Sequence, residues 1–342
     1  MNTLSPGNAT LGKRMETHMS LPHVSVAMTT YNHADYILTS VESILNQETR
    51  FPFEIVIGED CSTDGTHSIV ESLQASFPDK IRVVTSDSNV GANKNNARTL
   101  SACRGEYIAW CEGDDYWHDP GKLEKQVDYM ERHPECALVY SDFDKFDTRT
   151  GVRERNVLRN TLPDVTSSPG IVDIVGGKAG IMTCTVVTRR LLTEDVLRDD
   201  PYLHGGTFLM GDTQLWAEMS LLGHTRLLPE SLATRNVLRE SATQSTDVAR
   251  RLRFWASSSE MFLYLCEKHG LPAELRAIHR RNWRRYMLKL AYVSGERDLA
   301  LKVQQRSEDF SIKDWAWYLG ATNPLARPAL SAVLRAMNKS IL

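Results

Sequence analysis

Along the first 142 residues, short apolar runs alternate with stretches of helical spacing. His23–Thr30 (HVSVAMTT), Phe53–Gly58 (FEIVIG), Lys80–Thr85 (KIRVVT), Tyr107–Cys111 (YIAWC) and Ala137–Asp142 (ALVYSD) are of strand length and rich in β-branched and aromatic residues. Between the first two runs, Ile37, Val41, Ile44 and Leu45 fall at i, i+4, i+7 and i+8, with Asp35 the expected N-cap. Ile69, Val70, Leu73 and Phe77 follow CSTDGT, where Ser62 or Asp64 would cap. A Gly/Asn-rich loop, Asp87–Asn96, runs into a helix ending near Cys103, and a further helix spans Lys122–Arg132. The resulting βαβαβαβαβ order predicts an α/β fold: a mostly parallel sheet with helices on both faces and right-handed crossovers.

The pattern then changes. Asp144–Asp173 is polar and carries Pro163 and Pro169, as an excursion would. Gly176–Arg190 reads as a glycine-rich turn and a strand, and Asp195–Leu209 as irregular. Met210–Gly223 predicts a helix with Asp212 in its first turn and Leu215, Trp216, Met219 and Leu222 on its apolar face. After Arg250 the spacing is helical. Ile278, Tyr286, Met287 and Leu290 share one helix with Arg280, Arg281, Arg284, Arg285 and Lys289, and Leu330, Val333, Leu334, Met337 and Ile341 repeat near the end. The expected units are a disordered leader (1–21), an α/β domain (22–248, with halves 22–142 and 143–248) and a basic helical region (249–342).

Charge refines this picture. The net charge of −3 argues against a general nucleic-acid partner. From Arg250 onward 17 Lys/Arg face 8 Asp/Glu, so this end carries about +9 and the remainder about −12. Such a basic end suits peripheral contact with an anionic membrane, or simply a packed helix with a solvated basic face. No stretch has the ~20 apolar residues of a spanning helix, and Met1–Leu21 lacks the apolar core of a signal peptide. Six scattered cysteines without CxxC fit reduced, buried thiols in a cytoplasmic protein.

The chemistry-bearing residues fall at predicted strand ends, where ligands bind in such sheets. Thr29, Thr30, Tyr31 and Asn32 end the first strand, Glu59 and Asp60 the second, and Glu112, Asp114 and Asp115 the fourth. Three carboxylates within four residues repel one another unless a cation or hydrogen-bonded partner sits among them. Oxygen-only ligands of this kind suit Mg²⁺ or Mn²⁺ shared with substrate phosphates. A solvated acidic turn is the plain alternative, and an N-cap or first-turn acid is the plain reading of Asp212. There is no GxGxxG after the first strand and no GxxxxGK[ST], which weighs against a dinucleotide dehydrogenase or P-loop NTPase.

VSVAMTTYNHADYILTSVESILNQ, FEIVIGEDCSTDGT and NVGANKNNARTLSACRGEYIAWCEGDDYW resemble the family 2 glycosyltransferases of the GT-A fold, of the kind found in bacterial surface-polysaccharide assembly. The likeness is specific over Val24–Asp142, weaker to about Ser245, and absent beyond. It implies an inverting transferase that takes a nucleotide-diphosphate sugar, UDP-sugars favoured, and a divalent cation, Mg²⁺ or Mn²⁺. Thr29, Thr30, Tyr31 and Asn32 then surround the nucleobase with Glu59 and Asp60, Asp60 on the base edge. Asn89, Gly91 and Asn95 belong to the segment beneath the nucleotide. Asp115 binds the metal, Asp114 contacts the ribose or sugar and assists at the metal, and Asp212 is the catalytic base. The acceptor would be a saccharide or lipid-linked hydroxyl, met in the cytoplasm or on the inner membrane face. Two departures stand out: Glu112 replaces the more usual Asp, and Gln244 stands where many relatives carry a histidine, so that either no protein side chain completes the metal site or Arg235 or Arg239 neutralises the diphosphate directly. The alternative function is a catalytically inactive nucleotide-sugar-binding or scaffold module of the same fold.

Overall fold

A computed structural model describes residues 21–238, 246–307, 309–323 and 325–336. The expected leader up to residue 20, together with Arg239, Gln244, Met337 and Ile341, lies outside the described residues.

The chain begins β1 (Val24–Thr30), α1 (Ile37–Leu45), β2 (Phe53–Glu59), α2 (Thr66–Ser76), β3 (Ile81–Val84), α3 (Ala92–Ala102) and β4 (Tyr107–Trp110). It continues with β5 (Tyr116–Trp117), α4 (Lys122–Arg132), β6 (Cys136–Asp147), β7 (Arg153–Glu154), α5 (Val157–Thr161) and α6 (Ile171–Val175). Next come β8 (Val187–Arg189), α7 (Arg190–Asp199), α8 (Pro201–His204), α9 (Gly211–Leu222) and β9 (His224–Val237). The helices α10 (Val248–Lys268), α11 (Ala273–Ser294), α12 (Arg297–Gln305), α13 (Ile312–Thr322) and α14 (Ala326–Ala336) follow.

The sheet order is β3-β2-β1-β4-β8-β6-β9-β5, with β7 paired to β6. β1 is parallel to β2 and β4, β2 to β3, and β6 to β9. β8 lies antiparallel between β4 and β6, so β4 and β6 share a direction and the sheet is mostly parallel. The chain leaves β4, makes an acid-bearing turn and β5, and reaches β6 only across the later β8 strand. The run expected at Ala137–Asp142 therefore does not pair with β4, and it extends to Asp147. This carries it into a hairpin with β7 where an irregular excursion was expected.

One core lies on the α1/α2/α4 side, built from Val26, Met28, Ile37, Ile57, Leu123 and Val127. The other lies on the α3/α7/α9 side, built from Val56, Leu100, Ile108, Trp110, Trp216 and Met219. Residues 195–209, expected to be irregular, contain the end of α7 and all of α8. Asp200 caps α8 by accepting the N–H groups of Tyr202 and Leu203.

Asp35 does not cap α1, which starts after Tyr36 without a side-chain cap. Neither Ser62 nor Asp64 is the cap of α2, which is Gly65; Asp64 accepts the N–H of Thr66, the first residue of the helix. Leu222 is half exposed at the end of α9, while Leu215, Trp216 and Met219 are buried as expected. Trp110, Trp117 and Trp216 are all core side chains, the first and last meeting edge to face at 5.1 Å.

α10 is bound into the α/β part. Met261 and Leu265 pack with Ile174 and Ala217. Lys268 donates to Asp200 (2.6 Å) and Glu218 (2.8 Å). In α11, Arg284 is buried and paired to Asp314 of α13, so the basic helix is a packed one. The cysteines are free, and all but Cys61 are buried. Among the described residues no helix is long and apolar enough to cross a membrane.

Candidate active site

A cavity of about 340 Å³ opens at the carboxyl ends of β1 and β4. Thr29, Glu112, Asp114 and Asp115 line it from β1 and the turn after β4, Asn93 and Asn96 from α3, Thr183 from a short 3₁₀ turn (Thr183–Thr185), Asp212 from α9, and Arg235 and Asn236 from β9. The turn after β4 is tight at Gly113, where a Cβ would come within 2.6 Å of the Thr30 hydroxyl and 2.9 Å of Ile37. Only glycine lets the acids double back against β1.

Asp115 is nearly buried, and its Oδ1 accepts the backbone N–H of Asn236 at 2.8 Å. The Asn236 side chain donates to the Asp114 carbonyl at 2.5 Å, so β9, which pairs with β5 just after the acidic turn, clamps that turn. His33 Nε2 stands 4.0 Å from Asp114. Burial, then the charge of Asp114 and that of Asp212, push the Glu112 carboxyl up to about 8. Burial, Asp114 and Glu112 push Asp115 well above the usual carboxylate range. Glu112 Oε2 is buried without a hydrogen-bond partner. These are the marks of a carboxylate group that a cation would relieve. The donors are all hard oxygens, which fits Mg²⁺ or Mn²⁺. Among the described residues no three His, Cys, Asp or Glu side chains form a metal-binding group of their own, so substrate oxygens would have to complete the shell.

Across the cavity, Thr183 Oγ1 donates to Asp212 Oδ2 at 2.9 Å, and the Thr213 N–H donates to Oδ1 at 2.7 Å. Asp212 is a first-turn residue of α9, not its cap, which is Met210.

Of the expected site residues, Thr29, Glu112, Asp114, Asp115, Asp212 and Arg235 share this cavity. The others do not line it. Thr30 is buried with its hydroxyl 3.2 Å from His33 Nδ1, and Tyr31 is 40 % exposed. Asn32 accepts the Thr63 N–H and gives its own N–H to Ser62. Glu59 is fully buried; burial opposes its charge, but hydrogen bonds from Ser62 and His67 hold its carboxyl below its usual value. Asp60, also buried, accepts the N–H groups of Val90 (3.0 Å) and Gly91 (2.9 Å). Asn89 Oδ1 accepts the same Gly91 N–H at 3.1 Å. Asn95 bolts α3 to the Gly58 carbonyl. Arg98 is taken by Asn95, the Glu59 carbonyl and Asp60, while Lys94 is exposed. These residues build a hydrogen-bonded rim beside the cavity.

Sequence reasoning missed Asn93, Asn96, Thr183 and Asn236. Asn93 and Asn96 lie three apart on α3, so they share its outer face, a signal the glycine-rich loop obscured. Thr183 and Asn236 carry no local signal, because only pairing across the sheet brings them here.

The fold is that of a glycosyltransferase. Residues 25–183 match the profile described as glycosyl transferase family 2. An uncharacterised Mycobacterium tuberculosis protein, Rv1520, is 31% identical over 261 residues, 75% of this chain and 67% of its own length. A Bacillus subtilis protein described as a putative teichuronic acid biosynthesis glycosyltransferase, TuaG, is 36% identical over 122 residues, 36% of this chain and 47% of its own. Among solved structures, S. aureus TarS in complex with UDP aligns over 92% of this chain and 85% of its own at 18% identity, with a TM-score of 0.53. A Pyrobaculum calidifontis mannosyltransferase in complex with GDP-Man and Mn²⁺ aligns over 94% and 89% at 18% identity, with a TM-score of 0.54. The chain belongs to glycosyltransferase family 2.

Proposed function

We propose that this chain transfers a sugar, with inversion, from a nucleotide-diphosphate donor to a hydroxyl of a saccharide or lipid-linked acceptor. The observation that carries the reading is the meeting of Asp114 and Asp115 with Asp212 around one cavity, the first two from the end of β4 and the third from α9. Residues 22–142 would hold the nucleotide and 143–248 the acceptor and base. The nucleoside would lie along Thr29, Thr30, Tyr31 and Asn32, beside Asn89, Gly91 and Asn95, with Asp60 holding the Gly91 N–H and Glu59 bracing the turn after β2. Asp115, assisted by Asp114, would hold Mg²⁺ or Mn²⁺, and a cation there supplies Lewis-acid stabilisation of the diphosphate leaving group. Arg235 lines the same cavity and would meet the negative charge that develops on that group. Asp212 would take the proton of the acceptor hydroxyl as its oxygen attacks the anomeric carbon. Thr183 and the Thr213 N–H fix the Asp212 carboxylate in orientation, which supports that role.

A lipid-linked acceptor would be met on the inner face of the membrane. Support comes less from α11, which is packed, than from α13, where Ile312 (90 %), Trp315 (43 %) and Leu319 (46 %) stand exposed beside Lys313.

The test is calorimetric titration with UDP-, GDP-, CMP- and dTDP-sugars, with Mn²⁺, Mg²⁺ or chelator. The reading expects metal-dependent binding of one donor, abolished by Asp115→Ala and retained by Asp212→Ala. A folded protein that binds none of the four would overturn it.

A further inference from the structure

We infer that the hollow between α8, α10, α11 and α12 is a second saccharide-binding site, holding a distal part of the acceptor glycan while its reacting hydroxyl lies at Asp212. The inference rests on the transferase reading above.

The hollow has a volume of about 410 Å³ and shares no lining residue with the transfer cavity. That size falls within the ~300–1,000 Å³ of small-molecule sites. Its walls combine two kinds of group. Tyr202, Tyr264 and Trp283 supply aromatic surface. Tyr202 is 41 % exposed, although it is braced by Phe208 (rings 5.5 Å apart, near parallel) and Tyr264 (4.5 Å). A rigid, open aromatic face suits the apolar face of a sugar ring, since such side chains give large contact area at low entropic cost.

Glu260, Glu267, Arg280 and Arg306 supply the polar part. All four are exposed, and no hydrogen bond or ion pair joins their side chains to any described residue. Elsewhere on this protein Arg and Glu side chains that are at least partly exposed do pair, as in Arg50 with Glu124 and Arg190 with Glu194. Two carboxylates and two guanidiniums balance in charge, so the hollow has no preference for an anion. They offer planar acceptors and donors of the kind that hydroxyl groups use. A neutral polyol with one apolar face matches this set better than a phosphate or a lipid chain does.

The location connects the hollow to the reaction. Thr207 and Phe208 line it, and the next residues, Leu209 to Asp212, line the transfer cavity. Four residues of chain span at most about 14 Å, a distance that an oligosaccharide of a few units bridges. α10 likewise gives Phe254 to the cavity and Leu263 to the hollow, about 14 Å apart along a helix. One glycan can therefore touch both sites.

The test is saturation-transfer NMR with four neutral trisaccharides: cellotriose, chitotriose, maltotriose and mannotriose. At least one should bind, and Tyr202→Ala and Arg280→Ala should each weaken it about tenfold, the usual scale for a central aromatic or Arg contact. Arg280 is an exposed side chain without a partner, so that variant keeps the test free of folding defects. Asp115→Ala should leave trisaccharide binding intact, and donor titration should be unchanged in Tyr202→Ala and Arg280→Ala. The inference is overturned if no trisaccharide binds, if binding survives both variants, or if Asp115→Ala removes it. Trisaccharide binding without any donor binding would count against the transferase reading and leave the saccharide site standing.

Discussion

Thr183 donates its hydroxyl hydrogen to Oδ2 of Asp212 at 2.9 Å, joining the turn before β8 to the first turn of α9. With the Thr213 N–H on Oδ1, this leaves the carboxylate one orientation across the cavity. Thr183→Val keeps the shape and removes the donor. It should lower kcat by roughly tenfold, the value of about one hydrogen bond to a charged group, with donor affinity unchanged. Steady-state kinetics beside donor titration separates the two; a changed affinity with an unchanged kcat would refute the positioning role.

Asp212→Asn should cost roughly 10²–10⁴ in kcat, the range of general-base catalysis, and leave nucleotide-sugar binding in place. Asp115→Ala should do the reverse, abolishing metal-dependent binding itself. Equal losses of binding in both variants would mean that the two acids do not divide the work in this way.

Gly91 has φ +88° and ψ 158°, a region closed to other residues, yet a Cβ there would meet nothing within 4 Å. Gly91→Ala therefore tests the backbone alone, at about 1–3 kcal/mol of strain. Since Asp60 holds this residue's N–H, the strained loop should raise the donor KM several-fold while kcat holds. An unchanged KM would detach the loop from donor binding.

Lys122 is fully buried over the Trp117 ring, 4.1 Å from its centroid, and donates to Gln126 at 2.7 Å. Burial lowers its pKa to about 7. Between there and the unfolded value of 10.5 the unfolded chain binds more protons, so stability rises with pH across that window. Lys122→Met removes the group and should flatten this rise. Chemical denaturation at pH 6.5 and at pH 10 reads the effect. A rise of the same size in both proteins would show that Lys122 does not contribute to it.

Arg284 and Asp314 form a buried pair at 3.0 Å, with side chains 6 % and 0 % exposed, tying α11 to α13. Arg284→Met leaves the buried Asp314 carboxylate with hydrogen bonds from Ser311 but no cationic partner, and should cost about 3–5 kcal/mol. Limited proteolysis should then cut within α12–α14 before the α/β part, and uniform resistance would argue against this coupling.

Much of the architecture was legible because it is local. Helix α4 was expected at Lys122–Arg132 and spans those residues, since its apolar period and flanking glycine are within a few turns of each other. The acids after β4 were visible as an apolar run broken by glycine and carboxylates, and Asp212 as a first-turn acid. Where reading failed, distant contacts had decided. Asp35 looked like a cap, but the turn before α1 is held by Asp64, thirty residues away, which accepts the Ala34 N–H. Residues 195–209 looked irregular, yet Lys268 and Tyr264 of α10 fix Asp200, which caps α8.

The sequence by itself determined β1 to β4, β6, β8, most helices and the family, because side-chain period and turn chemistry act over a few residues. Only the tertiary structure decided that β8 runs antiparallel between β4 and β6, and that β9 reaches back to clamp Asp114 and Asp115 through Asn236. Those are pairings across up to 122 residues, set by which edges remain open and which carboxylates need partners once the sheet has formed. No window of sequence contains that information, and it is the same long-range closure that carries Thr183 to Asp212.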